Sequence, residues 1–220
     1  MAKKLTAAEI AAQKQSMEEA EIQRAFEQGI TTLRDLISPS SIEIQSDHFR
    51  LGTKYGRTIY VYGYPRTLST GWLSPLINID EVLDISIYIY PVDTTVVMKN
   101  LRKKVTQLEA DISLNAEKGR IRNPETDAAI QDAEELRDQL QLGYEKFFRF
   151  GLYVTLWADS LDELNYVQHK IETMFGQLMI FSKVATSQQE QGMNTTMPMA
   201  TDQLQIRRNM NTSAISTSFP

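Results

Sequence analysis

Cysteine is absent from this chain of 220 residues. Its absence excludes a disulfide framework, a cysteine-ligated zinc site and a thiol nucleophile. Histidine is scarce, with only His48 and His169, so there is little from which to build a histidine metal centre. Long apolar runs are missing too. A membrane-spanning helix needs roughly 20 apolar residues, and the longest uncharged stretch, Thr67 to Ile79, is interrupted by Pro75. The opening MAKKLTAAEIAAQKQS carries Lys3 and Lys4 with no apolar segment behind them, so it does not read as a secretory signal. An excess of positive charge is also lacking. Lys and Arg number 23 against 28 Asp and Glu, a net of −5, whereas a surface that grips nucleic acid by itself needs clustered basic residues. The pair Arg207-Arg208 is too short to supply that cluster.

Catalytic signatures are missing as well. No G-x-x-x-x-G-K-[ST], G-x-G-x-x-G, G-x-S-x-G, H-E-x-x-H or calcium-loop pattern occurs. No catalytic, cofactor-binding or metal-ligating residue is therefore assigned, and the chain is not expected to be an enzyme by itself. What is present is a composition of 42 % hydrophobic and 23 % charged residues, which belongs to a folded domain rather than a disordered one.

Residues 1 to about 36 are rich in Ala, Glu, Gln and Lys and read as helix, stopped by Ser38-Pro39-Ser40. Ile42 and Ile44 alternate with Glu43 and Gln45, as in a half-buried strand, and Phe49 and Leu51 follow. Residues 57–63, RTIYVYG, are β-branched and aromatic and predict a strand. The stretch YPRTLSTGWLSPLINID has no periodicity and reads as an apolar loop, whose Trp72, Leu73, Leu76 and Ile77 should fold back on the core or meet a partner. Residues 83–90, LDISIYIY, predict a strand with Ile85, Ile87 and Ile89 on one face and Ser86, Tyr88 and Tyr90 on the other.

Asp93 or Thr94 then suits the cap of a helix whose stripe is Val97, Leu101, Val105, Leu108 and Ile112. Gly119 interrupts it. Asn123-Pro124 looks like the start of a second helix, striped by Ala129, Ala133, Leu136 and Leu140. Together they predict an antiparallel helical hairpin over 95–142, projecting by roughly 30 Å. Residues 147–157 and 178–184 read as strands. Between them Ser160 and Glu163 form a capping box, followed by a helix carrying Leu161, Leu164, Val167, Ile171 and Phe175 and ending near Gly176. The fold class expected is α+β: a mixed or antiparallel sheet with helices on one face, of ferredoxin-like split β-α-β character, plus the projecting hairpin. The domain reading is an N-terminal helical extension over 1–37, an α+β domain over 38–186 and a polar linker over 187–220.

Several residues suggest binding. Asp80, Glu81 and Asp84 cluster before a strand, although a cation site needs several convergent oxygens and a solvated surface explains them as well. Tyr60, Tyr62, Tyr64, Tyr88 and Tyr90 come from two strands and would share a sheet face, where aromatic rings stack single-stranded bases or pack under a helix.

The stretches LRDLISPSSIEI at 33–44, RTIYVYGYPRTLSTGWLSPLINID at 57–80, LDISIYIYPVD at 83–93, the run from Leu101 to Leu140 and GLYVTLWADSLDELN at 151–165 form a long collinear pattern. It resembles the N-terminal region of type IV secretion and conjugative-transfer ATPases of the VirB-four (TraC-type) family, from about residue 30 onward. The resemblance implies a docking and oligomerisation domain, membrane-associated from the cytoplasmic side. Its implied partners are inner-membrane components of the secretion system and other copies of itself, hexameric in the family. ATP and magnesium would belong to a nucleotide-binding domain beyond Pro220, and direct nucleic-acid contact is not expected. The candidate interaction residues are Trp72, Leu73, Leu76 and Ile77 in the apolar loop and Leu101, Leu108 and Leu136 in the arm. A stand-alone scaffold with a helical arm, and a single-stranded nucleic-acid-binding module, are the alternatives.

Overall fold

A computed structural model describes residue 24 and residues 39–117 and 124–218. The N-terminal helix expected over 1–36 lies outside these residues except for Arg24, which is helical, and so does the expected cap at Asn123. Two compact units divide the chain, Met1–Ile42 and Glu43–Pro220. From Glu43 onward, the sheet and its helices belong to the second.

Seven strands and six helices follow one another among the described residues. They are β1 (Ile42–Ile44), β2 (Phe49–Leu51), β3 (Lys54–Gly63), α1 (Ser74–Ile77), β4 (Leu83–Pro91), α2 (Thr94–Glu117) and α3 (Pro124–Leu142), then β5 (Phe147–Ala158), α4 (Leu161–Gln177), β6 (Phe181–Val184), α5 (Gln189–Thr196), β7 (Arg208–Asn211) and α6 (Thr212–Ser216). The fold is α+β, as expected. The sheet order is β1-β2-β3-β5-β4, with β6 also beside β3 and β7 beside β5. The β2–β3, β3–β5, β3–β6, β4–β5 and β5–β7 pairs are all antiparallel.

The twelve-residue β5 is the spine. Phe150, Leu152, Val154 and Leu156 point to one face, where Ile59 and Val61 of β3 join them. The α4 stripe of Leu164, Val167, Ile171 and Phe175 covers that face and is wholly buried. Leu161, placed on the same stripe by its spacing, is instead exposed. Ser160 caps the helix as expected, its Oγ accepting from Glu163 N at 3.2 Å, but the Glu163 carboxylate reaches one residue further back than a capping box requires and accepts from Asp159 N at 2.8 Å. The helix runs one residue beyond Gly176, and the left-handed position after it falls to Met179, at φ 55°.

The second face is also covered, which corrects the expectation of helices on one side only. The described part of the stretch read as a polar linker, residues 187–218, supplies the cover: α5 lies over β3, β4 and β5, and β7 joins the sheet. The contact is polar. Thr58 Oγ1 and Thr155 Oγ1 lie 2.7 Å apart, and Thr155 Oγ1 and Thr196 Oγ1 also 2.7 Å apart, all buried. β2 begins opposite Gly56 and β6 ends opposite Ile59, leaving a gap along one edge of β3. The Gln189 side chain fills it. Its Oε1 accepts from Thr58 N at 2.9 Å, so an amide side chain does what a neighbouring strand would do.

Candidate functional site

β4 and β5 pair continuously from Leu83↔Leu156 to Pro91↔Phe148. Just past that end, Val92 N donates to Phe147 O at 2.9 Å. The helical arm is therefore an insertion at the closed end of a β-hairpin. Asp93 caps it, its carboxylate accepting from Thr95 N at 2.8 Å. α2 and α3 pack against each other. Val97, Val105 and Leu140 are buried, Leu101, Leu108 and Leu136 half-buried, and Lys99, Arg102, Lys103, Glu109 and Asp111 exposed. The three arm leucines named from the sequence thus lie on a narrow, half-covered stripe.

At the foot of the arm a groove of about 790 Å³ separates α3 from the sheet, lined among others by Arg66, Asp132, Glu135, Arg207 and Arg208. Its arginines are engaged within the protein. Arg66 pairs with Asp132 of α3, Arg207 donates to Asp202 at 2.6 Å and lies 4.0 Å over the Tyr90 ring, and Arg208 donates to Tyr62 O. Of these three arginines, Arg66 is the one that ties the arm to the rest of the domain.

The apolar loop is not the contact surface expected of it. Trp72, Leu73 and Leu76 are buried in the main core, and only Ile77, 58 % exposed, reaches solvent. The loop carries the short helix α1, with Pro75 in its first turn, and Trp72 Nε1 donates to Ser218 Oγ at 3.2 Å. Burial of three large apolar side chains outweighs the irregular backbone, each contributing about 1.5–3 kcal/mol.

The five tyrosines do not share one open face. A register shift between Val61 and Gly63 turns Tyr64 to the opposite side, where it meets Trp72 and Phe150 edge-on. Tyr88 and Tyr90 stack with rings 7° from parallel, but Tyr88 Oη donates to Thr195 O at 2.8 Å and Arg207 covers Tyr90. Lys183 sits 4.9 Å over Tyr62.

The acidic cluster is satisfied by its own neighbours. Lys170 pairs with Glu81 at 2.6 Å, and that hydrogen bond raises the lysine pKa. Trp157 Nε1 donates to Asp84 at 2.6 Å. Among the described residues no group of three or more acidic or histidine side chains converges as a metal would require. His169 is exposed.

A feature that the residue pattern does not disclose is the outer edge of β4. This strand has β5 on one side and no strand on the other among the described residues. Ile85 and Ile89 are 36 % and 38 % exposed. Alternation alone cannot separate such an edge strand from an inner one, because the difference lies in strand order.

Among the described residues no helix is long and apolar enough to cross a membrane. No protein-family model and no curated protein matches the chain.

Proposed function

We propose that this chain is a non-catalytic docking and oligomerisation domain of a conjugative DNA-transfer (type IV secretion) ATPase, held peripherally at the inner face of the cell membrane. The collinear resemblance over 33–165 motivates the reading. The observation that carries it is the arm, two long helices inserted into a hairpin turn with polar outer faces. The sheet covers both of its own faces from other segments and takes little from the arm. A long exposed insertion of that kind costs ordering entropy and is best explained by a partner bound along it. Inner-membrane components of the secretion system and neighbouring copies are the partners, with a hexamer as the assembly the family implies. ATP and magnesium belong, in this reading, to a separate nucleotide-binding domain.

The test is recruitment. The chain is co-expressed with inner-membrane components of a type IV secretion system, and its sedimentation with membranes is measured with and without them. The expected result is sedimentation that depends on those components and is lost when residues 95–142 are replaced by a short Gly-Ser turn. Recruitment unaffected by that replacement overturns the docking role, and ATP hydrolysis by the purified chain overturns the non-catalytic assignment.

A further inference from the structure

We propose that the outer edge of β4, beside which no strand lies among the described residues, is a self-association surface on which a second copy of this chain lays its own β4 antiparallel, joining two sheets into one. The inference deepens the oligomerisation part of the proposed function and rests on it.

The backbone sets the requirement. Trp157 N donates to Val82 O at 3.1 Å and Val92 N donates to Phe147 O at 2.9 Å. Hydrogen-bonded and non-hydrogen-bonded pairs alternate along an antiparallel ladder. The even-numbered residues of β4 therefore direct their N–H and C=O groups to β5. Leu83, Ile85, Ile87 and Ile89 direct theirs outward. These groups form a row that only another extended backbone satisfies in full.

Natural sheets blunt such edges with short strands, charges, prolines or bulges. The opposite side of this sheet does so. It ends in β1, three residues with Glu43 in the middle, and in β6, four residues with Lys183. β4 has none of these devices along its length. It runs nine residues in unbroken register with β5, holds no lysine or arginine, and meets proline only at its last position. Its single charge, Asp84, is tied back to Trp157.

The strand is also complementary to itself. In a two-fold pairing centred on Ser86, Leu83 opposes Ile89 of the other copy and Ile85 opposes Ile87. Asp84 faces Tyr88, so no like charges meet. This register leaves Pro91, which has no N–H to give, outside the ladder. A groove of about 530 Å³ between β4 and Met197, Pro198 and Ala200 leaves room for the incoming strand. An unrelated extended peptide would meet the backbone requirement, but β4 itself already supplies the matching apolar alternation.

The absence of cysteine makes the test clean. In this register the two Ser86 residues form a non-hydrogen-bonded pair, with Cα atoms about 4.5 Å apart, within reach of a disulfide. Ser86→Cys in the full chain is expected to give a disulfide-linked dimer on mild oxidation. Sedimentation equilibrium of the unmodified chain is expected to show self-association. The pair Ile85→Lys and Ile89→Lys should weaken it at least about tenfold, while Ile44→Lys on the opposite edge leaves it unchanged. Far-UV circular dichroism checks that each variant is folded, and where the double-lysine chain is not, the Ser86→Cys result decides. A monomer at every concentration, no crosslink, or undiminished association in the folded double-lysine variant overturns the proposal. Association retained through another surface overturns the edge alone and leaves the docking reading standing.

Discussion

Gly192 of α5 lies so close to Thr58 of β3 that a β-carbon on the glycine would sit 2.6 Å from the threonine's own β-carbon. Thr58 is fully buried, bonded to Thr155 and stiff at χ1, so it cannot yield. Gly192→Ala is expected to destabilise the fold by about 1–3 kcal/mol in urea denaturation. Gly176→Ala, in α4 with nothing within 4 Å of the added carbon, should instead leave stability unchanged or raise it by up to about 1 kcal/mol. A neutral Gly192→Ala would mean that α5 does not press on the sheet as described.

Arg57 carries the tie between the start of the sheet and α4. Its side chain is 6 % exposed, and it donates to Asp47 O and Asp47 Oδ2 at 2.9 Å each, to Asn165 Oδ1 at 2.8 Å and to Gln168 Oε1. Arg57→Met should cost about 2–4 kcal/mol, because it strands those acceptors.

Asp47 itself gives a pH signature. Its pKa is lowered below 3.8 by the hydrogen bond with His48 first and by the Arg57 charge after it, against some desolvation. A lowered carboxylate stabilises above its unfolded pKa, and the contribution is lost as pH falls through the folded value. Asp47 is half exposed, so the effect is below about 1 kcal/mol. Thermal melts of the parent should fall across this acid window, and those of Asp47→Asn should fall less steeply.

Tyr64 and Tyr153 should respond in opposite ways to loss of the hydroxyl. Tyr64 Oη is buried and has no hydrogen-bond partner among the described residues, whereas Tyr153 Oη donates to Ile206 O at 2.9 Å. Tyr64→Phe is expected to be neutral or stabilising, and Tyr153→Phe to cost about 1 kcal/mol. Burial raises both phenol pKa values above 10.0, with the nearby Asp202 carboxylate adding to the effect at Tyr153. Stability from a raised group is complete below the unfolded pKa and fades as pH climbs above it. In an ultraviolet titration these two rings should ionise only as the fold is lost.

Replacing residues 95–142 with a tight turn should leave the sheet standing. Pro91 and Phe148 already face each other, so the shortened chain closes as an ordinary hairpin. Circular dichroism should retain its strand signal and lose helix. Loss of both would show the arm to be part of the core.

Alternation and capping made half of this molecule legible from residues alone. The stripe on α4, the cap at Ser160, and the strands around Tyr60, Ile87 and Val154 are written in periods that hydrophobic burial enforces. The second face was illegible because it is held by Thr58, Thr155, Thr196 and Gln189, whose hydrogen bonds leave no apolar period in α5. For Trp72, Leu73 and Leu76 the residues leave two readings open, burial on the core or contact with a partner, since an aperiodic segment carries no sign of which way it turns. The unpaired side of β4 depends on strand order, which no local pattern contains.

Inserting the arm between β4 and β5 also bears on how the chain reaches its fold. Were the inserted residues an unstructured loop instead, Pro91 and Phe148 would have to find each other across it, and closure entropy grows with loop length. Two helices that form locally and zip together bring Val92 and Phe147, whose backbones hydrogen-bond at 2.9 Å, within reach before β4 and β5 pair. Pro91 and Phe148, the pair of the central hairpin nearest the arm, then meet first, and the ladder extends from them toward Leu83 and Leu156. On this account a helix-breaking proline midway along α2 would slow refolding far more than it lowers final stability, and the arm would serve as the clasp that lets the sheet close.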